Sequence, residues 1–165
     1  MDTPPAVDNP AHARDIDAMR RAIDASREAL AAGNMPFGAS LASPAGELLW
    51  VSQNNQVTAA DCTGHAELVL VREATAALGA QALHGATVYA SGEPCAMCSG
   101  AMFWAGISRI VYAATQADIA RELGDPTLPV TSAQVLAGAS PAVVVDGPLL
   151  EEEAVAVLRE LGQRP

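Results

Sequence analysis

Apolar residues recur every three or four positions in several stretches of the chain, which is the spacing of a helix with one buried face. The clearest of these stretches begins after Gly64 and ends at Gly79, a residue suited to a helix C-terminus. Its apolar stripe runs through Leu68, Val71 and Leu78, which we expect to face the core. The pattern predicts helices over residues 16–33, 64–79, 95–106 and 149–162.

Short apolar runs lie between these helices and predict strands. Two of them, within residues 37–54, flank a turn at Pro44-Ala45-Gly46 and predict a β-hairpin. From residue 64 onward strands alternate with helices, which is the order of crossover units in a partly parallel sheet. We therefore predict an α/β protein with its sheet between helices. The remaining predicted strands are residues 86–91, 109–115 and 141–147.

The N-terminal residues 1–11 contain Pro4, Pro5 and Pro10, and these prolines predict a flexible tail without regular structure. A chain of 165 residues has the length of one domain and is long enough to bury a core. Half of the residues are apolar and 17% are charged, as in folded globular proteins. We therefore expect a single domain over residues 12–165.

The formal net charge is −10, and every basic residue is Arg. Such an acidic chain repels a phosphate backbone, so its charge disfavours nucleic-acid binding. Its three cysteines are too few for a disulfide framework. The N-terminal sequence has no secretory signal pattern, and no apolar run is long enough to span a membrane. We therefore expect a cytoplasmic protein with reduced thiols.

Residues with metal-binding chemistry stand at the starts of two predicted helices. His65 and Glu67 begin one helix, and Cys95 and Cys98 follow Pro94 at the start of the next. One imidazole and two thiolates form a three-ligand zinc site that leaves the fourth position for water, which is the catalytic arrangement. Glu67 is near enough to take a proton from that water and pass it to a leaving group.

Other interpretations of these residues stay open at this point. A single His at a helix start is commonly a cap or a surface residue, and a Cys-x-x-Cys pair is found in redox proteins. Cys62 lies three residues before His65, where we expect it to pack as a bystander. However, His-x-Glu followed by Pro-Cys-x-x-Cys is the signature of zinc deaminases, and the combination favours the metal site over its separate alternatives.

The chain resembles the cytidine deaminase-like superfamily, in particular guanine deaminases, fungal-type cytosine deaminases and tRNA adenosine deaminases. The resemblance covers roughly residues 12–160. It implies a three-layer fold, with a five-stranded mixed sheet flanked by helices, that is usually dimeric. The apolar helix 95–105 fits such a dimer interface, or equally the core. The matching segments are PFGAS (36–40), QNN (53–55), GHAEL (64–68), EPCAMCSGAMFWAG (93–106) and RIVYAA (109–114).

The resemblance also implies a reaction and a role for each matching residue. In this reaction, activated water attacks the ring carbon that bears an exocyclic amine, and ammonia leaves. Three residues would bind Zn²⁺, one would shuttle protons, and two would contact the base. The metal ligands would be His65, Cys95 and Cys98. The proton shuttle would be Glu67, and the base contacts would be Asn54 and the backbone N–H of Ala66.

Several features bear on the substrate. The segment MFWAG (102–106) is similar to guanine deaminases, and the acidic charge fits a small neutral base. The segment DPTLPV (125–130) resembles the part of guanine deaminases that supplies a purine-binding acid, which would be Asp125; alternatively, Asp125 only starts a turn. Phe37 and Trp104 would stack on a planar base or pack in the core.

We predict a zinc-dependent hydrolytic deaminase of a free nucleobase, with a guanine-like purine as substrate and a homodimer as its assembly. Cytosine and s-triazine bases remain alternatives, because no aromatic residue follows Tyr112 and guanine deaminases have an aromatic tail. A tRNA adenosine deaminase is the second enzymatic alternative, since the chain ends in a plain helix as those enzymes do. A non-catalytic zinc-binding partner subunit is the alternative from another class.

Overall fold

A five-stranded mixed sheet forms the centre of the computed structural model, which describes residues 9–124 and 126–163. The strands are β1 (Gly38–Ala42), β2 (Leu48–Gln53), β3 (Thr87–Gly92), β4 (Arg109–Ala114) and β5 (Val144–Asp146). Their order in the sheet is β2-β1-β3-β4-β5. β1 is antiparallel to both β2 and β3, whereas β3, β4 and β5 are parallel. These strands confirm the predicted mixed sheet.

The hairpin of β1 and β2 turns where the sequence predicts. Gly46 has a φ of +87°, which favours glycine, and its N–H donates to the Ser43 carbonyl at 2.8 Å. All five residues of β1 are buried, because β1 lies inside the sheet with β2 at the edge. The hairpin thus places Gln53, the last residue of β2, next to Gly38 at the start of β1.

Six α-helices flank the sheet in the described residues. They confirm the four predicted helices and add two that were not predicted, α4 and α5. A short 3-10 helix, Ala80–Leu83, follows α2. The helices are α1 (Pro10–Ala31), α2 (Ala66–Leu78), α3 (Ala96–Trp104), α4 (Gln116–Leu123), α5 (Ser132–Leu136) and α6 (Glu151–Gly162).

The first helix begins earlier than predicted. Asn9 caps α1 by accepting a hydrogen bond from the Ala11 N–H at 3.0 Å, and Pro10 takes the first helical position, where no N–H is needed. The expectation that Pro10 and Ala11 belong to a tail is therefore wrong, while the rest of that segment, residues 1–8, lies outside the described residues. Neither α1 nor any other described helix is long and apolar enough to cross a membrane.

Two clusters of buried apolar residues cover the two faces of the sheet. On one face, α1 and α6 pack side chains such as Ile23 and Leu158 against Val111. On the other face, α2, α3 and α5 pack against residues that include Leu41 and Ile110. Successive strand residues point to opposite faces, so the inner strands β1, β3 and β4 supply both clusters. The result is the predicted three-layer arrangement.

The apolar stripe predicted for α2 is only part of its buried face. Ala66, Leu70 and Ala74 are fully buried, whereas Leu68 and Val71 are half-buried and pack against the same core cluster, and Leu78 is exposed. The small alanine side chains allow the helix to approach the strands closely. The prediction that Leu78 faces the core is therefore wrong.

A polar cluster ties α1 to the sheet near the start of β4. Asp15 accepts hydrogen bonds from the Tyr89 hydroxyl at 2.6 Å and from both terminal nitrogens of Arg109 at 2.9 Å. The Nε of Arg109 donates to Asp146 at 2.8 Å. Arg109 thus holds two carboxylates and joins α1, β4 and β5.

Candidate metal and catalytic site

The carboxyl ends of β3 and β4 lie side by side, with Gly92 paired to Ala114. The chain leaves β3 toward α3, and Cys95 stands immediately before that helix. His65 stands immediately before α2, so the starts of the two helices meet at this edge. The Cys95 Sγ lies 3.6 Å from the His65 Nδ1. The structure therefore brings together the two motifs that carry the predicted chemistry.

The loop between β2 and α2, residues 54–65, is held by side chains and not by regular structure. The Asn34 Oδ1 accepts hydrogen bonds from the N–H groups of Val57 and Thr58, each at 3.0 Å. A Cβ at Gly64 would collide with the Asn55 Oδ1, so glycine is required just before His65. The loop thereby fixes the direction in which the chain enters α2.

Three side chains at this edge could hold one metal ion. The ligand atoms of His65, Cys95 and Cys98 all lie within 4.8 Å of one another, and they are the one such group among the described residues. Imidazole and thiolate are the ligands that zinc prefers in proteins. Cys62, by contrast, is exposed and does not belong to the group. The donor set and its spacing fit a zinc ion.

The protonation of the thiols also suits metal binding. A hydrogen bond from Cys98 and the proximity of His65 lower the pKa of Cys95 to about 4, although burial opposes this shift. The neighbouring Cys95 and burial raise the pKa of Cys98. The hydrogen bond with Cys95 also raises the pKa of His65. One thiolate is therefore present at neutral pH, and a bound cation would favour ionisation of the second.

Glu67 lies in the first turn of α2 beside this cluster and is buried. Burial raises the pKa of its carboxyl to about 7, and the negative charge of Cys95 acts in the same direction. A carboxyl group with a pKa near neutrality can both accept and donate a proton. The arrangement therefore combines metal ligands with a group suited to proton transfer.

A cavity of about 590 Å³ opens above the cluster. His65, Glu67 and Cys95 contribute to its wall, together with the amide side chains of Gln56 and Gln116. Much of the remaining wall is apolar, and the exposed residues Met97 and Leu128 lie at its opening. The other apolar side chains of the wall include Met35, Phe37, Ile119 and Leu123.

Two of the predicted base contacts line this cavity. Asn54 is buried; its Nδ2 donates to the Gln56 Oε1 at 2.7 Å, and its Oδ1 accepts from the Gln56 N–H at 3.0 Å. Phe37 lies against Gly92, where a Cβ would come within 2.8 Å of the ring. Ala66 is buried at the first position of α2, where the backbone N–H has no acceptor within the helix.

The other two predicted base contacts are Trp104 and Asp125, and neither is among the described residues that line the cavity. Trp104 is 84% exposed at the end of α3 and does not line the cavity. Its ring contacts Phe103 edge-to-face, with centroids 5.1 Å apart. Neither stacking on a base in this cavity nor packing in the core describes Trp104, so both expectations are wrong. Asp125 lies outside the described residues, although Gly124 and Pro126 on either side of it line the cavity.

The sequence did not point to Gln56 and Gln116 as cavity residues. Gln56 follows Asn54 by two positions, and this spacing is the sequence feature that could have identified it, since the structure pairs the two side chains. Gln116 begins α4, a helix that was not predicted, although Thr115 and Asp118 form a capping box that marks its start.

Comparison with known proteins identifies the family. The family described as the cytidine and deoxycytidylate deaminase zinc-binding region matches residues 12–114. A probable cytosine deaminase of Schizosaccharomyces pombe is 35% identical over 86% of this chain and 88% of that protein. The guanine deaminase of Bacillus subtilis is 42% identical over 52% of this chain, and the match spans 54% of that enzyme.

Solved structures share the fold. The structure of NE0047 in complex with 2,6-diaminopurine has a TM-score of 0.75 and 26% identity, over 88% of this chain and 80% of that one. A structure from studies of tRNA:A34 deaminases, which edit A to I at the wobble position of transfer RNA, has a TM-score of 0.72 and 30% identity, over 86% and 98%. The chain thus belongs to the cytidine and deoxycytidylate deaminase family and is a deaminase, a hydrolase that acts on C–N bonds.

Proposed function

We propose that the protein is a zinc-dependent deaminase of a free nucleobase, with a guanine-like purine as its substrate. One observation carries this proposal: a single cavity is lined both by two of the candidate metal ligands, His65 and Cys95, and by the buried carboxyl of Glu67. A purely structural metal site has no use for a proton-transfer group at this position, which argues against a non-catalytic partner subunit.

The metal ligands and Glu67 would have different roles in the proposed reaction. Zinc held by His65, Cys95 and Cys98 would lower the pKa of a water molecule toward neutrality and so supply the nucleophile. Glu67 would accept one proton from that water and deliver it to a ring nitrogen, and would then move the second proton, from the new hydroxyl on the ring, to the departing amine. The water oxygen replaces the exocyclic amine as a carbonyl on the ring, and the amine leaves as ammonia.

The wall of the cavity supports a small uncharged base. No Arg is found among the described residues that line it, so a phosphate group would meet no cationic side chain other than His65. Phe37 and Ile119 offer apolar surface for a planar ring, and the amides of Asn54 and Gln56 offer donors and acceptors for its edge. The complex of NE0047 with 2,6-diaminopurine favours a purine, and the S. pombe relative keeps cytosine as an alternative.

A tRNA adenosine deaminase is the second candidate, supported by the similarity to the tRNA:A34 deaminase structure over almost its full length. The net charge of −10 opposes it, because an acidic surface repels a folded RNA.

Ammonia release by the zinc-loaded protein tests these candidates directly. The panel is guanine, adenine, cytosine, their nucleosides, several s-triazines and an adenosine-containing tRNA stem-loop. We expect turnover of guanine or a close analogue. Turnover of the stem-loop alone would replace this proposal with the tRNA activity, and no turnover with any compound would favour a non-catalytic role.

We also propose that α2 and α3 form a homodimer interface. Leu78 in α2 and Trp104 in α3 are exposed apolar side chains on neighbouring helices. Met97, also in α3, is a third exposed apolar side chain. Burial of such side chains in a second copy would remove them from water.

Sedimentation velocity tests this interface. We expect the wild type to sediment as a dimer and Trp104→Glu as a monomer, because the variant places a charge in an apolar contact. Leu48→Glu is the matched control, since Leu48 is also exposed and apolar but lies on the edge strand β2. A monomeric wild type, or a dimeric Trp104→Glu variant, would contradict the proposed interface.

A further inference from the structure

Glu93 has a buried carboxylate that takes no part in the proposed reaction. It is 7% exposed, although it stands only two residues before Cys95. Its Oε2 accepts a hydrogen bond from the Gln116 N–H at 3.0 Å. Its Oε1 accepts from the Ser132 N–H at 3.2 Å and from the Ser132 hydroxyl at 3.3 Å. One carboxylate therefore joins three segments that are distant in the sequence.

Gln116 strengthens this connection from the other side. Its side-chain Nε2 donates to the carbonyl oxygens of Glu93 at 3.2 Å and of Pro94 at 3.4 Å. The Glu93 N–H donates to the Ala114 carbonyl at 2.7 Å, at the end of β4. Backbone and side chains thus fix the loop before Cys95 to the start of α4 in both directions.

Glu93 holds the two helices that come before and after the rim of the cavity, which is the described part of residues 124–130. Gln116 is the first residue of α4 and Ser132 is the first residue of α5. The segment between the two helices supplies Gly124, Pro126 and Leu128 to the cavity wall. Each first-turn N–H lacks an acceptor within its own helix, and the Glu93 carboxylate supplies that acceptor for both.

The described backbone hydrogen bonds of the rim are local. In the described part of residues 124–130, the backbone N–H groups bond locally: Gly124 to the Ala120 carbonyl at 3.0 Å and Val130 to the Leu128 carbonyl at 2.8 Å. Leu128 is exposed at the cavity opening. The position of the rim therefore depends on where its flanking helices are anchored.

We propose that Glu93 is a positioning residue that sets the distance between the Cys95 loop and the rim of the cavity. This positioning role rests on the proposed function only because the cavity is taken to bind a nucleobase. An ionised carboxylate accepts all three hydrogen bonds, whereas an amide of the same size has one oxygen and must turn a donor toward a donor. Loss of the charge at Glu93 would therefore release the rim and weaken substrate binding.

Glu93→Gln tests this role by two measurements, hydrogen–deuterium exchange and steady-state deamination of guanine. We expect faster exchange of amides in residues 116–132, and a KM raised about tenfold with kcat changed less than about threefold, as for one lost charge-assisted hydrogen bond. Asp15→Asn is the matched control, because it also turns a hydrogen-bonded, partly buried carboxylate into an amide but lies away from the cavity. The control should leave exchange over 116–132 and KM unchanged.

The outcomes are separable. Unchanged exchange over residues 116–132, or a lower kcat at unchanged KM, would overturn the positioning role. If Glu93→Gln does not fold, Ser132→Ala removes the hydroxyl donor and retains the backbone bond, and faster exchange at the rim is again required. Exchange needs no turnover, so failure of the wild type to deaminate guanine would reject the proposed substrate while the exchange result still decides the role of Glu93.

Discussion

Two carboxyl groups, Asp15 near the start of β4 and Glu67 at the opposite edge of the sheet, have pKa values shifted in opposite directions. Burial opposes the ionisation of both, but Asp15 is only partly buried, whereas Glu67 is buried. At Asp15, hydrogen bonds from Arg109 and Tyr89 outweigh burial and hold its pKa below the usual 3.8. Among the described residues no arginine compensates near Glu67, and burial raises its pKa to about 7. The difference therefore lies both in the partner and in the depth of burial.

This contrast separates a structural cluster from a chemical one. Arg109 donates hydrogen bonds to both Asp15 and Asp146, so that cluster joins elements of the fold. Glu67 lies beside potential metal ligands, and its raised pKa suits it to accepting and donating a proton. The same change, carboxylate to amide, should therefore have opposite consequences at the two places.

The largest effect is expected for Glu67→Gln. The amide keeps the size of the side chain but cannot accept and pass on a proton, so kcat for deamination should fall about a thousandfold. Zinc content, measured by atomic absorption, should stay at the wild-type level because the candidate ligands are untouched. The unfolding free energy should be unchanged or higher, since a buried charge is removed. Activity close to that of the wild type would contradict the proton-transfer role.

A smaller effect, on stability and not on activity, is expected for Asp15→Asn. This variant leaves Arg109 and Tyr89 without their charged acceptor, so the unfolding free energy should fall by about 2 kcal/mol. Urea unfolding followed by circular dichroism measures this change. The kcat and KM of the folded variant should equal those of the wild type, and a selective loss of kcat would show that the two clusters are coupled.

The smallest effect is the pH dependence of that stability difference. The folded pKa of Asp15 is depressed, so its ionised form stabilises the fold above the unfolded value of 3.8, and this contribution is lost as the pH falls through the folded pKa. The difference in unfolding free energy between wild type and Asp15→Asn should stay constant from about pH 5 to 8 and shrink below about pH 4. A difference that grows on acidification would contradict the depressed pKa.

The parts of the molecule that the sequence predicted are those with local signals. His65 and Glu67 are separated by one residue, and Cys95 and Cys98 by two, so these motifs can be recognised without knowing the fold. The hairpin around Gly46 and the helix that ends before Gly79 are likewise marked by their own residues. These elements needed no knowledge of distant contacts.

The parts that were missed have short or weak signals. α4 and α5 have 8 and 5 residues, and although Thr115 and Thr131 begin capping boxes at their starts, helices this short carry little apolar periodicity. The N–H groups of Gln116 and Ser132 are also held by Glu93, far earlier in the chain. Two of the fully buried residues of α2 are alanines, which carry too little apolar surface to dominate a periodicity. Trp104 looked like a core or cavity residue because its size suggests burial, yet its place at the end of α3 leaves it outside both.

Gly92, the last residue of β3, makes the shape of the cavity sensitive to a single substitution. A Cβ at this position would lie 2.8 Å from the ring of Phe37 and 3.0 Å from the side chain of Ile119. A single methyl group there would displace Phe37 and Ile119, two residues of the cavity wall. One substitution of a glycine would therefore change the shape of the cavity while leaving every side chain of the candidate metal group in the sequence.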